Sequence, residues 1–258
     1  MPAAAVAQTD YYNLDAGRPV RVEDAFPVER NAFELQAAPL RVERHGAGRY
    51  TWTLEPELAW GVLPRLQVEA GVPIVRVDVR GGGGAGVAGI EASALYNLNA
   101  ETATLPAMAI AAEAVFPVGR HGPAEARVSA KGILTRTWRI ARVHLNGAYT
   151  FGAAPATAED AGSEEAARWE AGIAADRALP LEALLLVGEV TAREPLGGGE
   201  TIWRTGAGVR VQLSPRLALD GGLGRMLTGA ERSWEATIGA AWVFAIRSLI
   251  PGVREGDR

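Results

Sequence analysis

The sequence contains no cysteine, which excludes both a disulfide framework and a metal site with thiolate ligands. Lys131 is the only lysine, and arginine supplies every other positively charged side chain. With a formal net charge of −4, the chain has no excess of basic residues, so we expect no nucleic-acid partner. The three histidines are far apart and lack metal-ligand spacing. We therefore expect neither a metal nor any other cofactor.

Long apolar runs are also missing, since none approaches the roughly 18 residues that a transmembrane helix needs. Helical periodicity is not convincing in any segment. If the chain crosses a membrane, it must do so as a β-barrel, the other arrangement that satisfies every backbone polar group in lipid. Residues 84–89 match G-x-G-x-x-G, but a strand-like segment follows them where a dinucleotide site requires a helix.

The sequence is rich in alternation between apolar and polar residues. In residues 49–61, RYTWTLEPELAWG, the aromatic and apolar side chains fall on one parity, and the threonines and glutamates fall on the other. Such a segment fits a soluble sheet above a core, or a transmembrane strand whose apolar side faces lipid. The pattern recurs in about twelve segments: 33–43, 49–61, 66–76, 89–99, 107–116, 127–137, 142–151, 169–176, 183–192, 203–213, 216–226 and 234–244.

Three features favour the transmembrane barrel over a soluble sandwich. The strand number is even, and short turns at 61–65, 137–141 and 214–216 alternate with longer loops. We expect those longer loops at 78–88, 117–127, 153–168 and 193–200. Aromatic residues occur toward strand ends, as in interfacial girdles. The expected lipid-facing aromatic anchors are Trp52, Trp60, Tyr149, Trp203, Trp234 and Trp242. We therefore predict an all-β, antiparallel, up-and-down transmembrane β-barrel of about twelve strands.

In such a barrel the charged residues on the opposite parity would face the lumen, where acids and bases can pair or select solutes. The expected pore-lining or lumen-network residues are Glu55, Glu57, Glu69, Glu91, Glu113, Lys131, Arg142, His144, Arg204, Arg210 and Glu235. His144 raises the alternative of a membrane-embedded hydrolase, with Ser93 or Ser129 as the nucleophile. Because His144 lies on the polar parity with no serine beside it, we expect no catalytic residues and no enzyme activity.

The sequence pattern divides the chain into four parts. Residues 1–7 have the A-x-A form of a signal-peptidase site and are interpreted as the remnant of an export signal, the alternative being an ordinary alanine-rich terminus. Residues 8–32 are polar and are interpreted as a flexible leader, the alternative being a plug that enters the lumen. The barrel itself is expected at 33–245, and 246–258 form a C-terminal tail.

Several stretches carry a resemblance to a known group of proteins. DAGRPVRVEDAFPVERNAFELQ (15–36), YTWTLEPELAWGVLPRLQVEAGVPI (50–74), ALYNLN (94–99) and GILTRTWR (132–139) resemble bacterial outer-membrane β-barrels of the "MetA-pathway of phenol degradation" type. The resemblance spans about residues 10–245, and its motifs are structural. It implies an outer-membrane barrel that passes small or hydrophobic molecules, and it implies no catalytic residues.

The sequence thus predicts a channel or facilitator of the bacterial outer membrane. Its partners would be outer-membrane lipid and a small-molecule solute, hydrophobic or aromatic compounds included, and the sequence does not identify protein partners. Passage would be passive diffusion through a charged lumen, narrowed by residues 9–32 or by external loops. A plugged barrel with a structural or adhesive role remains the first alternative, and the hydrolase remains the second.

Overall fold

A computed structural model gives the fold of the chain. The structure describes residues 13–37, 40–45, 48–79, 82–152, 166–179, 182–228 and 233–246. The interpretation of residues 1–7 as a signal remnant lies outside these ranges, as does the tail beyond Ile246. Among the described residues, no helix is long and apolar enough to cross a membrane.

The described chain forms sixteen β-strands in a single antiparallel sheet that closes on itself. Their bounds are β1 (Ala32–Gln36), β2 (Leu40–Arg44), β3 (Tyr50–Leu54), β4 (Glu57–Leu63), β5 (Leu66–Gly71), β6 (Ile74–Val79), β7 (Gly82–Val87), β8 (Ile90–Asn99), β9 (Ala107–Phe116), β10 (Arg127–Thr137), β11 (Arg142–Phe151), β12 (Ala167–Leu179), β13 (Leu184–Pro195), β14 (Ile202–Ser214), β15 (Leu217–Met226) and β16 (Trp234–Ala245).

The first eight strands are four long strands, each broken once. β1 and β2 both pair with β16, and β3 and β4 continue the same register on their other side. The breaks at Pro56 and Pro73 fall where a residue without an N–H cannot donate to the ladder. Counted this way, the wall has twelve strands, and the pairing of β1 with β16 closes it. The predicted up-and-down barrel of about twelve strands is confirmed.

The distribution of side chains is the inverse of that in a soluble protein. Large apolar side chains on the outer face are exposed, as Leu223 (69%) and Ile238 (63%) illustrate. Charged side chains on the inner face are buried, as Glu189 (4%) and Arg210 (2%) illustrate. A barrel of this kind can place its apolar face only against lipid, because so large an exposed apolar surface is unfavourable in water.

Connections are shorter at one end of the barrel than at the other. The short-turn end carries the connections 64–65, 138–141, 180–183 and 215–216, with a longer one at 100–106. The loop end carries 117–126, 152–166, 196–201 and 227–233, together with the shorter connections 45–49 and 80–81. Short turns are typical of the periplasmic side of outer-membrane barrels.

Two loop predictions were wrong in extent. Residues 78–88 were expected to form a loop, yet β6 and β7 pair in register up to Val79 and Gly82, which leaves only 80–81 between them. The glycine run hid this hairpin because it has no side chains to alternate, whereas its backbone groups still complete the ladder. Similarly, β13 continues to Pro195, so that the next loop begins at 196 and not at 193.

The exposed outer face yields a first test. Ile238→Arg, near the middle of β16, should destabilise the folded barrel in lipid vesicles by about 2–4 kcal/mol, since it places a charge at the bilayer centre. Leu213→Arg, near the short-turn end of β14, is the matched control and should cost about 0–1 kcal/mol. Urea titration of the barrel in vesicles measures both values. Equal costs at the two positions would contradict the assignment of the outer face to lipid.

Candidate functional site

The segment before the first strand lies inside the barrel. Residues 13–31, here called the plug, contact the inner face of nearly every part of the wall. Arg18 reaches Asp220 on β15, the backbone N–H of Glu23 donates to Asn146 on β11, and that of Val28 donates to Gln67 on β5. Residues 13–31 therefore fit the alternative of a plug that enters the lumen and not the expected flexible leader. Residues 8–12 lie outside the described structure.

A buried group of ion pairs anchors the plug near the short-turn end. The Arg18 guanidinium is fully buried and lies 3.1 Å from Asp220, 2.7 Å from Asp15 and 3.4 Å from Glu34. Arg210 on β14 lies 2.7 Å from Asp15 and also donates to the carbonyl of Asn13. Two cations thus share three carboxylates, two on the wall and one on the plug. We call Asp15, Arg18, Glu34, Arg210 and Asp220 the anchor.

A second group of charged residues holds the part of the plug that lies nearer the loop end. Arg21 on the plug lies 3.3 Å from Glu43 and 3.2 Å from Glu235. Arg204 on β14 is paired with Glu235 and lies 3.4 Å from Glu189. One Glu189 oxygen also accepts the backbone N–H groups of Arg21 and Val22. Wall carboxylates therefore satisfy both the side chains and the backbone of the plug.

A third group connects the plug to β10, β11 and β12. Lys131 Nζ donates to Glu23 at 2.7 Å. Asp24 lies 3.8 Å from Arg142, whose guanidinium makes two hydrogen bonds of 3.0 and 2.8 Å to Asp176. The sole lysine of the chain thus binds the plug.

His144 belongs to this third group and has no nucleophile of the expected kind. Its Nδ1 lies 3.0 Å from Thr135 Oγ1 and its Nε2 lies 2.8 Å from Asp176. The Ala25 backbone N–H donates to the same threonine oxygen, which links the plug to His144 through Thr135. Ser93 bonds Glu69 and Ser129 bonds Thr150. His144 is fully buried, and its contacts fit a structural link to the plug.

The wall is also shaped to receive the plug. Leu14, Val20 and Val22 pack on Leu185 and Val187 of β13. At the inner position Gly172, a Cβ would overlap Val22 of the plug. Side chains at Gly208 and Gly222 would likewise overlap Pro19 of the plug. A glycine has no side chain that would block the close approach of another segment. At these three positions the plug therefore packs directly against the backbone of the wall.

The plug leaves part of the lumen empty. A cavity of about 340 Å³ lies between the plug and the wall, mainly along β3 to β12. A second cavity of about 250 Å³ lies nearer the short-turn end, against Glu34 and Val243. Asp15, Phe26 and Gln67 line both cavities, so the boundary between them is formed by the plug and β5.

The larger cavity has an acidic lining. Ten carboxylates line it and only four cationic side chains do, and it includes the predicted residues Glu55, Glu57, Glu69, Glu91 and Glu113 together with Lys131. Glu55 lies 3.8 Å from Arg41. Glu69 accepts bonds from Ser93 and Gln67. Glu57 and Glu113 make no hydrogen bond or ion pair with any described residue. The remaining predicted lumen residues, Arg142, His144, Arg204, Arg210 and Glu235, hold the plug.

The predicted aromatic anchors project from the outer face near the two ends of the barrel. Toward the loop end lie Trp52, Tyr149, Trp203 and Trp234. Toward the short-turn end, Trp60 stacks on Phe33 at 5.5 Å between ring centroids, and Trp242 contacts Phe244 at 5.1 Å. Phe33 also stacks on Phe244, which joins these rings across the seam where the barrel closes.

Several functional residues were not singled out from the sequence. Glu34, Glu43, Glu189 and Asp220 are charged residues within strands and could have been found by the same parity rule. The plug residues Asp15, Arg18, Arg21, Glu23 and Asp24 have no periodicity that would reveal their contacts. The signal they do carry is charge of both signs in a short polar segment, opposite a wall with glycines on its polar parity.

Comparison with solved structures shows the same fold in several membrane proteins. An outer-membrane channel from Pseudomonas putida F1 is 13% identical, with a TM-score of 0.62, covering 90% of this chain and 100% of that one. The NanC porin is 7% identical with a TM-score of 0.54, covering 81% and 98%. The translocator domain of the autotransporter NalP from Neisseria meningitidis is 11% identical with a TM-score of 0.50, covering 82% and 87%.

No family model and no curated protein matches the sequence. At these identities the structural likeness shows the fold, which is that of outer-membrane β-barrels. Combined with the exposed apolar outer face and the buried polar lumen, this fold identifies the chain as an outer-membrane β-barrel.

The anchor predicts how the plug can be released. Arg18→Met should leave Glu34 buried without its ion-pair partner and Asp220 with only Arg210 at 3.8 Å, at a cost of about 3–5 kcal/mol that plug release relieves. Because the chain has no cysteine, Val22→Cys gives a single buried thiol whose labelling rate reports plug exposure. Labelling should be faster in the Arg18→Met background.

Arg76→Met is the control for this test, since Arg76 pairs with Asp78 in a mostly exposed position away from the plug. It should leave the labelling rate unchanged. Heat-modifiable migration on gels verifies that each variant retains the folded barrel. Equal labelling rates in Arg18→Met and the parent would contradict the role of the anchor.

Proposed function

We propose that the protein is a passive channel of the bacterial outer membrane for small polar solutes, and that it favours cations. The single observation that carries this proposal is the acidic cavity left open between the plug and the wall. The plug narrows the lumen of a twelve-stranded barrel without filling it, because two cavities with volumes of about 340 and 250 Å³ remain.

The route that we propose runs beside the plug. A solute would pass the larger cavity, then the boundary at Asp15, Phe26 and Gln67, and then the smaller cavity toward the short-turn end. The boundary is the narrow point, and small movements of Phe26 would widen it. Since Phe26 is only partly buried, it has room to adopt other side-chain rotamers.

Charge supports the preference for cations. Carboxylates outnumber cationic side chains in the lining of the larger cavity by ten to four. A lumen with walls of one charge concentrates counter-ions and repels ions of the same sign. Rings of acidic side chains serve the same purpose in other cation channels.

The substrate class is the finer part of the proposal. The motifs at 15–36 and 50–74 resemble the phenol-degradation type of barrel, which suggests small hydrophobic or aromatic solutes. The lining of carboxylates, amides and hydroxyls fits charged or polar solutes better, because a hydrophobic solute would leave these groups desolvated. We therefore propose membership of that group together with a polar, cationic solute.

A plugged structural barrel is the second candidate, and a specific observation favours it. The plug is held by three groups of ion pairs and hydrogen bonds, so that it resembles a permanent part of the fold. A hydrolase has no comparable support, since the hydroxyl beside the buried His144 is that of Thr135, which also accepts the Ala25 backbone N–H.

Conductance in planar bilayers tests the proposal. The purified protein should conduct, and a KCl gradient should give a reversal potential of the sign expected for cation preference. Glu55→Arg replaces a negative charge of the cavity wall with a positive one and should move the reversal potential toward zero or beyond it. Glu200→Arg, in an exposed loop position, is the matched control and should have little effect.

Absence of conductance in a correctly folded barrel would favour the plugged structural barrel. Conductance without cation preference, unaffected by Glu55→Arg, would show that current does not pass the acidic cavity.

A further inference from the structure

The acidic wall of the larger cavity arranges its acceptors in a row. Glu69 on β5 is directly opposite Ser93 on β8, and Ser93 is directly opposite Glu113 on β9. Neighbouring strands are about 4.8 Å apart, so the backbones of the two glutamates are separated by about 9–10 Å, with the serine hydroxyl midway. The Ser93 hydroxyl donates to Glu69, which leaves its own oxygen able to accept a bond.

The row continues toward the seam of the barrel. Glu57 on β4 is opposite Gly71 and lies diagonally from Glu69, whose direct partner is Ala59. Diagonal neighbours in a sheet are about 7–8 Å apart. Gln36 on β1 is directly opposite Glu57, at about 5 Å between Cβ atoms. A Cβ at Gly71 would lie 2.9 Å from Glu57 Cγ, so the Glu57 side chain itself lies over this glycine, which lines the cavity.

Gln36 supplies an independent sign that a donor is missing. Its side chain is 2% exposed and lines the cavity. The amide nitrogen donates to Glu34, whereas Oε1 has no hydrogen-bond partner among the described residues. A buried carbonyl oxygen without a donor is costly, so a ligand that brings an N–H to this position would be stabilised.

The arrangement does not fit a metal ion. No group of three or more histidine or carboxylate side chains among the described residues converges in a way that would hold one. A hard cation such as Ca²⁺ needs six to eight oxygens at about 2.3–2.6 Å, whereas these carboxylates are spread along the wall. A long ligand with several separate positive charges matches the spread.

We propose that this row of acceptors, namely Gln36, Glu57, Glu69, Ser93 and Glu113, is a binding site for a linear aliphatic polyamine. Ammonium groups separated by three or four methylenes have spacings similar to those of the acceptors. A terminal ammonium donates three hydrogen bonds, an internal ammonium donates two, and neither accepts any, which complements a wall of carboxylate, hydroxyl and carbonyl oxygens. Glu57 and Glu113 make no hydrogen bond or ion pair with another described residue, and Lys131 is the cation whose charge interacts with Glu113.

This site rests on the proposed function in that a bound polyamine would occupy the route through the barrel. It specifies the chemical class of the cation that the channel prefers.

Titration calorimetry of the full chain in detergent, with spermidine as the probe, tests the site. Spermidine should bind at least about tenfold more tightly than butylamine or Mg²⁺, since it alone can use several acceptors at once. Glu69→Gln and Glu113→Gln should each weaken spermidine binding roughly tenfold, the loss expected for one charge-assisted hydrogen bond. Glu200→Gln, outside the cavity, should leave binding unchanged.

The outcomes separate this inference from the proposed function. If the protein conducts but spermidine binds no more tightly than butylamine or Mg²⁺, the polyamine site is overturned and the channel stands. The site is equally overturned if the Glu69→Gln and Glu113→Gln variants bind as the parent does. If spermidine binds with the expected dependence on both glutamates but the barrel does not conduct, the site stands and the channel is overturned.

Discussion

Pairing of buried charges between the plug and the wall is the constraint on which the lumen depends. Arg18 and Arg210 are removed almost completely from water, Arg18 being held by Asp15, Glu34 and Asp220 and Arg210 by Asp15 and Asp220. Exchanging water for carboxylates is favourable only where the geometry is close to ideal. The plug therefore fits one position in the barrel, and its residues cannot slide along the wall without leaving a charge unpaired.

The same constraint explains why the lumen is asymmetric. Lys131, Arg142, Arg204 and Arg210, on β10, β11 and β14, bind the plug or the carboxylates that hold it. Along β4 to β9 the wall carries Glu57, Glu69 and Glu113 without an arginine or lysine paired to them among the described residues. The part of the lumen that the plug leaves open is thus the part with excess negative charge. Structural pairing on one side and solute binding on the other follow from one distribution of charges.

The strands could be predicted from the sequence because each one is a local pattern. Parity alone assigned Glu235, Arg204 and Arg210 to the inner face and Trp234 and Trp242 to the outer face. The first strand was harder to predict because its inward-facing residues switch from even to odd positions. Glu34 and Gln36 face inward in its first part, and Arg41 and Glu43 do so in its second part. The hairpin at 74–87 was missed because glycines have no side chains to alternate.

The plug could not be predicted in the same way. Its conformation is set by contacts with residues more than one hundred positions away, such as Asn146, Glu189 and Asp220. Whether an inner carboxylate meets the plug or the cavity also depends on those contacts, so Glu113 and Glu235 look alike in the sequence and differ in role. Gly172, Gly208 and Gly222 on the polar parity were the available signal, and their meaning becomes clear only with Val22 and Pro19 above them.

The central claim is that solutes pass beside a plug that stays in place. A disulfide between Val22→Cys and Gly172→Cys tests it most directly, because these positions are in contact and no other cysteine is present. The account predicts that the oxidised, cross-linked barrel conducts cations as well as the reduced one does. Conductance that disappears on oxidation and returns on reduction would contradict it, since the plug would then have to leave before any solute could pass.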